Sequence, residues 1–289
     1  MSIETAAVAQ PISGDKLYQE RARRALPLLV RQALAHQPIY YGHLAKELEM
    51  PNARNLNYVL GSIGQALLKL EKMSGEKIPP IQCLVLNQSS SLPGEGIGWF
   101  ISKADFRKMT KRDQRTLVEA KLAEIFSYQK WPSVLDALNL PQPQFVSQEL
   151  LKKARRLGGG ESELHRTFKE FVAANPSCVG ISKSIDQTST EFDLFSGDKI
   201  DVMFQSRDEW TAVEVKSRIS DEPDLLRGLF QCVKYQAVLE AMLSVQGLKQ
   251  NVTVILALET SLPESLVATK NALGVNVQER INIKNNSHV

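Results

Sequence analysis

Helical spacing of apolar residues dominates the first half of this chain, and two-residue alternation enters in the second. Between 15 and 36, Leu17, Ala22, Leu26, Leu29, Val30 and Ala33 fall on one stripe, which predicts an amphipathic helix with Pro27 as a kink. Tyr40-Tyr41-Gly42 reads as a break, and a short helix over 43–49 follows. Met50-Pro51-Asn52 then leads into a longer helix over about 55–73, with Leu56, Val59, Leu60, Ile63, Leu67 and Leu70 as its buried stripe. Strands are predicted at 81–86 and 97–101, on either side of a Ser/Pro/Gly loop, and another helix over about 111–129. A shift in composition puts a domain boundary between 141 and 160, a span that holds a basic helical stretch and ends in three glycines. Beyond it, Leu164, Phe168, Phe171 and Val172 mark a helix. Strands are predicted at 178–182, 191–195, 199–204 and 210–216, then a long helix over 224–243 that is apolar on most sides. A strand at 252–258, a helix at 263–273 and a strand at 275–277 complete an αβββαβ core with a small addition.

A length of 289 residues suits one or two domains, and 43% hydrophobic residues are ample for their cores. The first dozen residues lack a basic-then-apolar leader, and no apolar run approaches the roughly 18 residues of a membrane helix. A cytoplasmic protein with no membrane partner is expected. Cys83, Cys178 and Cys232 sit in apolar surroundings without C-x-x-C spacing, which points to core positions rather than disulfides or zinc. The net charge of +3 permits nucleic acid without requiring it, so local clusters matter more. The order helix, helix, helix, hairpin describes a winged helix over 1–145. In it the helix from Asn55 would be the recognition element, with Arg54, Asn55 and Asn57 at its N-terminus facing phosphates or base edges. Lys103, Arg107, Lys108, Lys111, Arg112 and Arg115 follow as a basic stretch. The plainer reading makes Asn55 a cap, the basic run a solvated face and the fold a protein-interaction module.

Candidate chemistry concentrates at 199–217. Two alternating runs flank a polar segment of hairpin length, and Asp201 on the first reaches the end of the hairpin where Glu214 and Lys216 share a face of the second. Two carboxylates and an ammonium converging on one point form the layout of a divalent-metal site, while a cross-strand ion pair on a half-exposed sheet is the bland alternative. Glu161 falls within the apolar stripe of the preceding helix and Glu163 lies off it; either fits an N-terminal turn through the helix dipole. Gln231 and Tyr235 lie one turn apart on the long helix.

Two family resemblances follow from these residues. I-D-V, a short hairpin and then h-h-E-h-K, between a helix bearing a Glu and a long helix, resembles the PD-(D/E)xK nuclease superfamily over about 158–289, with Ile200 in place of the nominal Pro. The resemblance implies that Asp201 and Glu214 bind metal, that Lys216 is catalytic, and that Glu161, or else Glu163, helps to hold the ion. It also implies a bracing role for Gln231 and Tyr235, whose Q-x-x-x-Y is similar to that of the exonuclease-like branch. The run IYYGHLAKELEMPNARNLNYVLGSIGQAL, followed by IPPIQCLVLN, resembles the DNA-binding fold of alkyltransferases and alkyltransferase-like proteins over roughly 39–101. Where that family has Pro-Cys-His-Arg, this chain has Pro79-Pro80-Ile81-Gln82, and Cys83 comes late with no neighbouring base, which argues against alkyl transfer.

The expectation is therefore a Mg²⁺-dependent nuclease, with Mn²⁺ as an alternative ion held by Asp201, Glu214 and the carbonyl of Val215. DNA is the expected substrate, with RNA, a homo-oligomer and a partner protein left open. The competing expectation is a non-catalytic nucleic-acid-binding or adaptor protein on a nuclease-like scaffold.

Overall fold

Most of the stripe predicted for the first helix is buried in the computed structural model, which describes residues 9–94, 98–143, 148–156, 162–182 and 184–283. Helix α1 (Leu17–Leu34) turns Ala22, Leu26, Leu29, Val30 and Ala33 inward with Pro27 among them, whereas Leu17 is exposed. Strand β1 (Ile39–Tyr40) and helix α2 (Tyr41–Glu47) follow, so Tyr41 opens a helix where a break was expected. A 3₁₀ turn, Ala53–Asn55, enters α3 (Leu56–Ser74), whose Leu56, Val59, Leu60, Ile63 and Leu67 complete the core against α1. Arg31 of α1 and Glu47 of α2 form a two-pronged buried ion pair, with Nη2 to Oε1 at 2.7 Å and Nη1 to Oε2 at 2.9 Å.

Among the described residues the expected hairpin after α3 is reduced to one antiparallel bridge, Leu86 to Pro93. Residues Ile81–Leu84 make a 3₁₀ turn, and only Val85–Leu86 (β2) is extended, pairing in parallel with β1. Four consecutive buried residues, Ile81 to Leu84, explain the difference, since an alternating strand would turn half of them outward. Among the described residues the second predicted strand is not extended either: 98–101 is a helical turn and a bend, and the Trp99 ring lies where a Cβ on Gly64 of α3 would stand. Ile97 lies outside the described residues. Helices α4 (Lys103–Lys108), α5 (Lys111–Ser127) and α6 (Trp131–Ala137) follow, the first two capped by Ser102 and Thr110. Trp131 is fully buried, and its indole N–H donates to the Ile125 carbonyl at 2.9 Å.

The chain divides into two compact units, Met1–Gln144 and Phe145–Val289. Helix α7 (Gln148–Arg156) belongs to the second, where Leu150, Leu151 and Ala154 join its core, so the division falls inside the 141–160 span marked by composition and the second unit begins before the 158 at which the nuclease resemblance starts. Helix α8 (Glu163–Ala174) is capped by Ser162. A 3₁₀ turn, Pro176–Val179, stands where a strand was expected at 178–182, because Pro176 opens a helical turn that buries Val179 alone. Strands β3 (Gln187–Asp193), β4 (Lys199–Gln205) and β5 (Glu209–Lys216) form an antiparallel meander, with β3 ending before the predicted 195. Helix α9 (Glu222–Val245) crosses to β6 (Asn251–Leu258), parallel to β5, and α10 (Glu264–Leu273) to β7 (Asn276–Gln278), giving one five-stranded sheet in sequence order. Alternate residues of β5 feed different cores. Val213 and Val215 pack with Phe168 and Val172 of α8, and Ala212 packs with Leu225, Leu229 and Leu239 of α9. Among the described residues no helix is long and apolar enough to cross a membrane.

Candidate functional site

The hairpin register builds the site. Val202 pairs with Val213, so one step towards the start of β4 sets Asp201 across from Glu214 on the same face. Asp201 is anchored by the backbone: Oδ2 accepts the Val215 N–H at 2.8 Å, and Oδ1 lies 3.3 Å from Nε2 of His165 on α8. Glu214 and Lys216 are both buried, and Lys216 Nζ stands 3.1 Å from Glu214 Oε1. A second carboxylate holds the same ammonium, with Asp224 Oδ1 at 3.1 Å. These groups line a cleft of about 510 Å³ together with Lys199, Ser220, Arg227 and Gln231.

Burial first, and then the facing Asp201 carboxylate, push the Glu214 carboxyl up to about 8 against the pull of Lys216. Burial alone would lower the Lys216 ammonium, but Glu214 and Asp224 outweigh it and hold the amine above its ordinary value. Asp224 resists the upward push of its own burial and is held low by Lys216. The facing Asp201 carboxyl acts on Glu214 both through its charge and as a hydrogen-bond partner, and both effects push the Glu214 carboxyl up. Among the described residues no group of three or more His, Cys, Asp or Glu side chains is gathered to hold an ion. What the site offers is a pair of carboxyls, with the Val215 carbonyl beside them in sequence.

Other sequence-predicted residues fall differently. Gln231 lines the cleft and its amide donates to the Tyr235 hydroxyl at 3.1 Å, which donates in turn to the Lys199 carbonyl at 3.0 Å. Tyr235 is buried, so it braces β4 two residues from Asp201 rather than facing the cleft. Glu163 is exposed and does not line the cleft, and Glu161 lies outside the described residues. The α8 side chain that reaches Asp201 is His165, next to Leu164 of the apolar stripe. Asp224 and Arg227 were not singled out from the sequence, where D-E-P-D signals only a helix start.

In the N-terminal unit, Arg54 and Asn57 line a cleft of about 500 Å³ with Tyr41, Gly42, Asn87 and Gln88. Asn55 is exposed at the start of α3 and makes no side-chain cap. Lys111 and Arg112 are exposed in the first turn of α5 and Lys103 is half-buried on α4; none of the three lines that cleft. Cys83 is buried, and burial pushes its thiol well above the ordinary range. No known protein family, curated protein or solved structure matches the chain.

Proposed function

We propose that the C-terminal unit is a divalent-cation-dependent nuclease that uses Mg²⁺, with Mn²⁺ as a substitute, to hydrolyse phosphodiester bonds in DNA. The observation that carries this reading is the set Asp201, Glu214 and Lys216 at one end of the β4–β5 hairpin, in a cleft that also holds Lys199 and Arg227. The donor chemistry fits such an ion. Two facing carboxyls, with Glu214 pushed up by burial and by the Asp201 charge, form a site in which a divalent cation would take the place of the Glu214 proton. Asp201 and Glu214 would hold it, with the Val215 carbonyl as a third oxygen. When bound, the ion supplies an activated water and charge neutralisation at the phosphate. Lys216 orients the attacking water or offsets the charge that develops on the phosphate oxygens, and its ammonium also pairs with Asp224. Lys199 and Arg227 carry positive charge on the cleft wall, where flanking phosphates of a bound strand need it.

Arg54, Asn55 and Asn57 at the start of α3, with Lys103, Lys111 and Arg112, are proposed to hold nucleic acid in the N-terminal unit. The cleft that Arg54 and Asn57 line supports this role. A second reading is a nucleic-acid-binding protein without cleavage. Incubating the pure protein with end-labelled single- and double-stranded DNA and RNA in Mg²⁺, Mn²⁺ or EDTA separates the two. Cation-dependent shortening of the label supports the nuclease, and retention of uncut strand on the protein in all three conditions supports the binder.

The brace makes a further prediction. Gln231→Ala removes a cleft side chain and one hydrogen bond, so it should cost about 1 kcal/mol of stability while lowering turnover several-fold. Tyr235→Phe severs the link to β4 from a buried position and should lower melting temperature and turnover together. Melting curves and single-turnover rates on both variants check this; parallel losses in Gln231→Ala would assign Gln231 to packing.

A further inference from the structure

We propose that Asp224 is the residue that positions Lys216 for the reaction, an inference that rests on reading the cleft as a nuclease site. The lysine ammonium lies 3.1 Å from Glu214 Oε1 and 3.1 Å from Asp224 Oδ1, so carboxylates on β5 and α9 grip it together. The two are not equivalent. Glu214 belongs, with Asp201, to the pair assigned to the cation, and an oxygen given to a cation is withdrawn from Lys216. Asp224 stands outside that pair. It lies in the first turn of α9, where Asp221 Oδ1 accepts its backbone N–H at 3.0 Å and fixes the turn.

Packing of the lysine stem points the same way. A Cβ built on Gly228, one turn beyond Asp224, would stand 3.0 Å from Lys216 Cε and 2.9 Å from Leu256 Cδ1. Glycine inside a helix costs about 1 kcal/mol relative to alanine, and the close approach of α9 to the lysine accounts for its presence. Helix α9 therefore locates both parts of Lys216: Gly228 leaves room for the stem, and Asp224 holds the head. With four rotatable carbons and one remaining anion in Glu214, a lysine lacking Asp224 would have no fixed direction once a cation engaged the carboxyl pair.

Asp224→Asn keeps the shape of the side chain and removes its charge. In the full-length protein kcat should fall about 10- to 100-fold, as expected for displacement of a reacting group by an ångström or so, with KM and Mg²⁺ affinity at wild-type values. A second readout is independent of cleavage: the ¹⁵N resonance of the Lys216 ammonium, assigned with Lys216→Arg, should be sharp in the Mg²⁺-bound wild type and broadened or lost in Asp224→Asn. An unchanged kcat with an intact ammonium signal overturns the proposal, and so does a fall in kcat matched by losses in Mg²⁺ affinity and melting temperature. If the wild-type protein cuts no nucleic acid, the nuclease reading fails on its own. The ammonium signal with and without Mg²⁺ then still decides whether Asp224 fixes Lys216, and an equally sharp signal in Asp224→Asn rejects it.

Discussion

Asp201→Asn and Glu214→Gln should each lower Mg²⁺-dependent cleavage roughly 10³-fold, because each removes an anionic oxygen from a site whose charge stabilisation is worth several kcal/mol, at about 1.4 kcal/mol per factor of ten. Lys216→Ala should also lose turnover while retaining cation affinity, since its ammonium is not a ligand; titration calorimetry with Mg²⁺ separates the two classes. Cleavage by Asp201→Asn and Glu214→Gln at the wild-type rate would mean the site is misassigned.

The same Glu214→Gln change should stabilise the metal-free protein at alkaline pH. Burial and Asp201 raise the Glu214 carboxyl from 4.5 to about 8, so the folded state keeps a proton that the unfolded state releases. A raised carboxyl gives stability that is fully present below the unfolded value and is lost as pH rises through the folded one. Metal-free wild type should therefore lose a few kcal/mol from this group between about pH 4.5 and 8, whereas glutamine, neutral throughout, loses none. The melting temperature of Glu214→Gln minus that of wild type should grow across this window, and Mg²⁺ should restore the wild type alone. A difference that stays flat or shrinks with pH would show that Glu214 is already ionised when the cation is absent.

Much of this site was legible because strands repeat every two residues. Once Asp201, Glu214 and Lys216 are assigned to two strands of one hairpin, alternation and a short loop set them at one end with no further information. Asp224 was not legible in this way: its contact with Lys216 depends on how closely α9 lies on the sheet, which Gly228 and Leu256 decide through space. Periodicity likewise found α1 and α3 but misjudged 81–84, where a run that follows two prolines and leads into four apolar residues, Cys83 to Leu86, fits a strand or a buried turn equally well. Only the neighbours under which Ile81 and Leu84 are buried choose between them. Trp99 on Gly64 is another such case, since a ring filling the place of a missing Cβ leaves no mark in local sequence.

Glu47→Ala should destabilise the N-terminal unit by about 3–5 kcal/mol, lowering its melting temperature by roughly 10 °C, because it leaves the Arg31 guanidinium buried without its carboxylate. Arg31 is 4% and Glu47 7% exposed at the side chain, so water cannot take over the lost charge. The double change Arg31→Met with Glu47→Leu should recover most of the loss, since two apolar residues of similar size avoid the stranded charge. This lesion lies in the unit Met1–Gln144, while Asp201, Glu214 and Lys216 lie in Phe145–Val289, and each unit closes its own core. The variant can therefore separate holding from cutting. Between the two transitions of a calorimetric scan, Mg²⁺ should still bind the C-terminal unit with wild-type affinity. DNA affinity, measured in a Glu214→Gln background to prevent cutting, should drop and lose part of its dependence on salt as the phosphate contacts of the N-terminal unit disappear. DNA affinity and salt slope that survive melting of the N-terminal unit would show that Arg54, Asn57 and the basic residues of α4 and α5 do not hold the strand.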